Sequence, residues 1–258
     1  MTVMIPATER ETGLRPEVKS AFETSKLTPW QRLWRYGGLR FHCPVCRGWF
    51  RKMLPHGINL RQNARCPACL SLERHRLLWL YLKNRTDFFK RRMKILHVAP
   101  EPVLSKILSA MPSLDYVSVD LYSRFAMLRM DITDLRTEDN LYDAVLCLHV
   151  FEHIQDDRKA MRELFRVLKP GGWAILQVPI FGEITLEIPA VTTSEERTEA
   201  YGHPKHLRQY GLDYLDRLEE AGFKVQVDDY VKSLGPRRIA RYGLKSRENI
   251  YFCRKSGD

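Results

Sequence analysis

At 258 residues the chain is long enough for one substantial core plus a small appended module. Hydrophobic residues make up 44% and charged residues 28%, ordinary globular proportions, and the absence of an 18-residue apolar run excludes a membrane-spanning helix. The net charge of +11 is concentrated: residues 26–94 hold 17 Lys and Arg against 2 Asp and Glu, whereas 1–25 carry −1 and 95–258 carry −3. That block is either a solvated basic surface, partly offset by bound thiolates, or a patch for phosphate-bearing partners.

The first 25 residues mix Thr, Glu, Pro and Arg without periodicity and read as a loose arm, with at most a helical turn near Val18–Phe22. The start MTVMIPATERETG has neither a basic nor an apolar signal-peptide region, so a cytoplasmic location with reduced cysteines is expected. Cys43-Pro-Val-Cys46 and Cys66-Pro-Ala-Cys69 come next, two C-x-x-C pairs separated by 19 residues. Each pair makes a tight knuckle with converging sulfurs, and two knuckles complete a tetrahedron around Zn²⁺. A redox dithiol, two disulfides or an iron–sulfur centre are the competing readings. The first needs only one pair, and a reducing compartment disfavours the second. Four thiolates would leave no open coordination position, making the ion structural. Trp49, Phe50, Arg51, Lys52, His56, Arg61 and Arg65 interleave aromatic and basic residues. They could stack and neutralise a single-stranded nucleic acid, although so small a module needs its aromatics for its own core. Residues 70–83, LSLERHRLLWLYLK, read as a helix apolar on every side over Leu77–Leu82, hence buried between two bodies and docking the zinc module on the main domain. His75 there reads as structural. The domain reading is 1–25 arm, 26–92 zinc module with docking helix, and 93–258 main domain.

From Lys94 strands and helices alternate, which implies a doubly wound α/β sheet. Strands are expected at Ile95–Ala99, Tyr116–Val119 ending in Asp120, near Met130–Asp131, at Ala144–His149, Trp173–Val178, Phe223–Val227 and Asn249–Cys253. Helices are expected at Pro102–Met111, from about Asp156 to Leu168, and over Leu212–Ala221 before Gly222. Cys147 and Cys253 lie in apolar runs and read as buried. In such sheets ligands bind outside the carboxyl ends of the strands, which puts Asp120, Asp131 and His149 where function should lie.

The ordered set Asp120, Asp131-Ile-Thr-Asp-Leu, Tyr142-Asp143-Ala-Val, His149-Val-Phe-Glu-His153-Ile and Arg166-Val-Leu-Lys-Pro-Gly-Gly172 resembles class I S-adenosylmethionine-dependent methyltransferases of the Methyltransferase type 11 group, over about 95–253. With the knuckles ahead of it, the chain is similar to a bacterial subgroup of zinc-ribbon methyltransferases. The resemblance implies a Rossmann-like sheet of seven strands, the last antiparallel. It further implies that Asp120, followed by Leu121, takes the cofactor's ribose hydroxyls, that Asp131 and Ile132 flank the adenine, and that Leu148 and His149 border the methionine part. The family's glycine-rich first turn is replaced by His97-Val-Ala99-Pro100-Glu101: His97 stands for the usual acid, Ala99 is small, and Glu101 could meet the cofactor's ammonium group. No fixed catalytic residue can be read from this fold, since a base is needed only for a protonated nucleophile. The connection Phe181–Gly211, with GHPKHLRQYG, is rich in titratable groups, making His203, His206 and Tyr210, along with His149, candidates for the acceptor side. Two expectations stand: methylation of a small-molecule or glycan-type metabolite, and alternatively an RNA-directed methyltransferase or cofactor-dead RNA binder using residues 26–94 as its nucleic-acid surface.

Overall fold

The computed structural model describes residues 27–57 and 60–257, so the arm read at 1–25 lies outside it. Contacts group residues up to Asp87 with Asp229–Glu248, and Phe88–Asp228 with residues from Asn249 onward. The break falls between Asp87 and Phe88, whereas the sequence reading put its boundary at 92/93. The excursion 229–248, assigned by that reading to the main domain, belongs with the first group.

In the first unit, helix α1 (Pro29–Tyr36) leads into β1 (Gly37–His42), antiparallel to β2 (Trp49–Phe50), and β3 (Leu54–His56) pairs antiparallel with β4 (Arg61–Arg65). Each Cys pair turns at the end of a hairpin. Cys43 N–H donates to Gly48 O and Cys66 N–H to Ser71 O, both at 2.9 Å. The residue after each pair, Arg47 (φ 60°) and Leu70 (φ 64°), is left-handed, so the two knuckles share one backbone solution. Helix α2 (Glu73–Arg85) starts three residues later than the sequence pattern, because His75 Nδ1 accepts the Leu72 N–H at 3.2 Å and caps the first turn. Leu77, Leu78, Leu80, Tyr81 and Leu82 are buried, and Tyr230 of the excursion meets Tyr81 edge-on at 5.5 Å. Below the knuckles, the fully buried Arg76 donates to Ala64 O, Ser71 O, Tyr242 O and Gly243 O at 2.6–3.0 Å, tying the second hairpin to the excursion. Burial pulls its guanidinium down while the surrounding thiols and Glu73 work to keep it charged.

In the second unit the elements run β5 (Met93–Val98), α3 (Pro102–Leu108), β6 (Leu114–Asp120), β7 (Leu128–Arg129), β8 (Tyr142–Leu148), α4 (Asp157–Val167), β9 (Leu168–Gln177), β10 (Ile180–Gly182), α5 (Ser194–Tyr201), β11 (Tyr210–Gly211), α6 (Tyr214–Glu220), β12 (Lys224–Asp228) and β13 (Ile250–Arg254). Seven strands form one sheet in the order β12-β13-β9-β8-β5-β6-β7, parallel except for β13. Central β5 and β8 are apolar on both faces, as strands covered by helices on both sides must be. Asp156 Oδ1 caps α4 by accepting Lys159 N–H at 2.9 Å, and its face of Ala160, Met161, Leu164 and Val167 is fully buried on the sheet. Each Leu or Met buried there contributes about 1.5–3 kcal/mol. The Lys-Pro-Gly-Gly turn belongs to the start of β9, a register shift that Gly172 permits: a Cβ there would lie 2.8 Å from Lys169 O.

Helix α5 and the excursion's helices α7 (Tyr230–Ser233) and α8 (Gly235–Tyr242) were not expected from sequence. Among the described residues no helix is long and apolar enough to cross a membrane.

Candidate functional site

A cleft of about 480 Å³ opens at the carboxyl ends of β5, β6 and β8, within the size range of small-molecule sites. Its floor is made by strand ends that must turn sharply. Ala99, just after β5, takes φ 47° and donates its N–H to Val119 O at 2.8 Å, and His149, just after β8, takes φ 56°. Non-glycine residues seldom adopt this conformation, which concentrates at functional sites. Asp120 ends β6. Its Oδ1 accepts the N–H groups of Tyr122 and Ser123, both at 2.7 Å, which leaves Oδ2 without a hydrogen-bond partner among the described residues. Asp131 repeats the device, with Oδ1 accepting Thr133 N–H at 2.8 Å and Thr133 Oγ1–H at 2.9 Å. Two carboxylates that line the cleft thus each have one oxygen fixed by local hydrogen bonds.

Of the ten residues expected to touch cofactor, Ala99, Asp120, Leu121, Asp131, Ile132 and His149 line this cleft, while His97, Pro100, Glu101 and Leu148 do not. His97 is fully buried, its Nδ1 3.0 Å from Tyr116 Oη and its Nε2 3.2 Å from Glu101 Oε2, so both ring nitrogens are engaged beneath the turn. Tyr122, Met130, Thr133, Ile154, Gln155 and Leu207 also line the cleft; nothing in their residue types marked them.

Val150 and His153–Asp156 also line the cleft, and between them Phe151–His153 forms a single 3₁₀ turn. It is held by Arg208, 1% exposed, which donates to Phe151 O, Ile154 O and Gln155 O at 2.5–2.9 Å and pairs with Glu187 at 2.7 Å. Within the turn, Glu152 lies 3.4 Å from His149 Nδ1. Burial pushes the Glu152 carboxyl up, but contact with His149 outweighs it and holds the group below the ordinary carboxylate range. Of the acceptor-side candidates, His203 and His206 gather against His153, with ring centroids 4.4–5.8 Å apart. Burial, helped by the neighbouring His153 and His203, lowers the His206 imidazole to about 4. Tyr210 lies elsewhere: it is buried in the core and donates its hydroxyl to Asp157, with burial raising its pKa.

The second constellation is in the first unit. Cys43 and Cys69 Sγ lie 3.7 Å apart, as do Cys46 and Cys66. Tetrahedral Zn–S bonds of about 2.3 Å require sulfurs about 3.8 Å apart, so these residues fit zinc, and they are far beyond a disulfide bond. Ser71 Oγ lies 3.3 Å from Cys43 Sγ and 3.2 Å from Cys69 Sγ, a hydroxyl able to support thiolate. Contact with the other three sulfurs drives the Cys43 thiol well below its ordinary range, so at least one sulfur of the cluster is readily held as thiolate. Cys147 and Cys253 are fully buried and shifted upwards by that burial, which fits inert core thiols.

Residues 104–176 match the family model described as a methyltransferase domain. No curated protein sequence matches the chain. Among solved structures, the chain is similar to the [4+2]-cyclase SpnF (15% identity, 84% of this chain and 91% of that one, TM-score 0.50). It is also similar to the YcgJ protein of Bacillus subtilis (20% identity, 59% and 70%, TM-score 0.46) and to a putative methyltransferase of Bacillus halodurans (18% identity, 64% and 89%, TM-score 0.40). The strand order with its one antiparallel member is that of the Rossmann-like methyltransferase fold, and the segment 104–176 within it matches the methyltransferase domain model. A four-cysteine cluster accompanies it in the same chain.

Proposed function

We propose that this protein transfers a methyl group from S-adenosylmethionine to a small-molecule or glycan-type metabolite, with a structural zinc ion held by Cys43, Cys46, Cys66 and Cys69. The observation that carries the reading is Asp120: a carboxylate at the end of β6 with one oxygen fixed by two backbone N–H groups and the other open to the cleft. A ribose diol needs such an acceptor, and a charged one binds it most strongly. Asp131 would receive the adenine amine, Ile132 would pack on the ring, and the left-handed turn at Ala99 together with His149 would border the methionine part.

Bound there, the cofactor supplies an electrophilic methyl group. The chain's own residues align the acceptor at the cleft mouth and exclude water from it. His149, His203 and His206 stand on that side for an acceptor whose proton must leave. The four thiolates complete their ion's coordination, so that ion shapes the first unit and takes no part in transfer.

Calorimetry with S-adenosylmethionine tests the cleft, and absence of binding would overturn the reading. Radiolabelled methyl transfer into fractionated extract tests the acceptor. Label in small molecules or glycans is expected, whereas label in RNA would shift the assignment to the basic segment 26–94 as the substrate surface.

A further inference from the structure

Three imidazoles converge beside the cleft. His153 comes from the turn after β8, and His203 and His206 come from the connection between α5 and β11. Nitrogens of all three lie within 4.8 Å of one another. His153 is itself a wall residue of the cleft. Methyl transfer has work for at most one of these rings as a base, which leaves their convergence unexplained. Two polar atoms at this place are buried without a hydrogen-bond partner among the described residues: Nδ1 of His206 and Oε2 of Glu152, the residue preceding His153. A buried polar group without a partner is costly, and an unrecorded ion is one of the few things that removes the penalty.

We propose that His153, His203 and His206 bind a transition-metal dication, zinc in the first instance, at the rim of the cleft. The protonation pattern on His153 suits a ligand. Its Nδ1 lies 3.0 Å from Lys205 O, a carbonyl that can only accept, so the proton sits on Nδ1 and Nε2 keeps its lone pair. That backbone-oriented tautomer is the usual outer support of a metal-bound histidine. His206 offers the unpartnered Nδ1. On His203, Nδ1 accepts the Lys205 N–H at 3.2 Å, a long contact that metal binding would replace. Glu152, 1% exposed, adds a buried negative charge in the same turn. Zinc at about 2.0–2.1 Å from each nitrogen needs nitrogens about 3.3 Å apart, so the rings close inward by roughly an ångström on binding. Three neutral imidazoles select zinc, copper, nickel or iron over magnesium or calcium. Three protein ligands also leave a position open, unlike the four-cysteine cluster. If the cleft holds S-adenosylmethionine, that position faces the acceptor and suits one bringing a hydroxyl or carboxylate oxygen.

The test uses tag-free, full-length protein already carrying its cysteine-bound zinc, titrated with further Zn²⁺ by calorimetry and by metal analysis after desalting. A saturable second equivalent is expected, weakened about 100-fold or more in both His206→Ala and His153→Ala. Because His153 is exposed, its variant tests the site even if His206→Ala fails to fold; melting curves with the first zinc retained make that distinction. With cobalt, the second equivalent should lack the sulfur-to-metal charge-transfer band that the cysteine cluster gives. No second equivalent, or one bound equally well by wild type and His153→Ala, overturns the site. Binding of S-adenosylmethionine is measured in the same wild-type sample: its failure with the second zinc intact refutes the reading of the cleft alone, and the converse refutes this site alone.

Discussion

Asp120 can be split experimentally into its two jobs. Its Oδ1 holds the turn by accepting two N–H groups at 2.7 Å, and its Oδ2 is left for the ligand. In Asp120→Asn the amide oxygen must take the Oδ1 position, because an NH₂ there would face two N–H donors. The turn therefore survives, and the NH₂ is forced onto the cleft side, where an acceptor for ribose hydroxyls is lost. A hydrogen bond to a charged group contributes about 1.5–3 kcal/mol, which corresponds to about 10- to 150-fold in affinity. Calorimetry of S-adenosylmethionine or S-adenosylhomocysteine should show that weakening with an unchanged melting temperature. Asp120→Ala removes both functions, so it should lower the melting temperature as well as the affinity. Binding by Asp120→Asn within twofold of wild type would refute the assigned cleft. A melting temperature as low as that of Asp120→Ala would refute the division of labour between the two oxygens.

Metal analysis should find zinc at the cysteines, and Cys66→Ser or a strong chelator should release it with loss of structure in the first unit; zinc-free protein with that unit intact would refute a structural ion. Arg76→Met takes a donor from four carbonyls, leaving the buried Ala64 O unsatisfied while Ser71 O keeps the Cys66 N–H, and should destabilise by about 1–3 kcal/mol in denaturant titrations, against a near-neutral result if the guanidinium is incidental. His56 is lowered to about 4, first by burial and then by Arg65 and Arg61. The unfolded chain therefore binds its proton before the folded one does. The stability this neutral His allows is complete above about pH 6.5 and lost as pH falls towards 4, so His56→Gln should flatten that part of the melting-temperature profile, and an unchanged profile would count against it. Ala99→Val places a β-branched residue at φ 47° and should cost about 1–3 kcal/mol together with cofactor affinity, whereas Ala99→Gly should retain both; equal behaviour in melts and calorimetry would show that the turn carries no strain.

The strands and their functional ends were legible because parallel strands leave continuous apolar runs, and a charge that ends such a run is conspicuous. That logic picked out Asp120, Asp131 and His149, all three of which line the cleft. It could not separate ligand-facing from structural members of the same motifs. Asp143, at the opposite end of β8 from the cleft, accepts Lys94 N–H at 2.7 Å and a hydrogen bond from Lys169 Nζ at 2.9 Å, which fastens the start of the strand. Helix α5 carried a readable signal, the Thr193-x-x-Glu196 capping box, but its residues are too polar to show an apolar stripe. The buried arginines had none, since Arg in sequence reads as surface. Arg208 and Tyr210 sit in a run that looks uniformly reactive on paper. Tertiary packing sends Tyr210 into the core and Arg208 under the 150–156 turn, leaving only His203 and His206 beside His153, about fifty residues earlier in the chain.

The glycine-free turn makes sense once the neighbouring strand is considered. β5 and β8 are paired, with Val98 opposite Cys147, and each ends in a left-handed residue, Ala99 and His149. Two adjacent strands that turn the same way at the same level create a shelf of backbone at the cleft floor. A glycine would give this with less strain, and alanine is the smallest side chain that still permits it. The position usually held by an acid is His97, which the structure buries against Tyr116 and Glu101. In the proposed reading, ligand recognition on this side would fall to His149 and the backbone at Ala99, and the ribose and adenine donors would be met by Asp120 and Asp131, on neighbouring segments that need no glycine to present them.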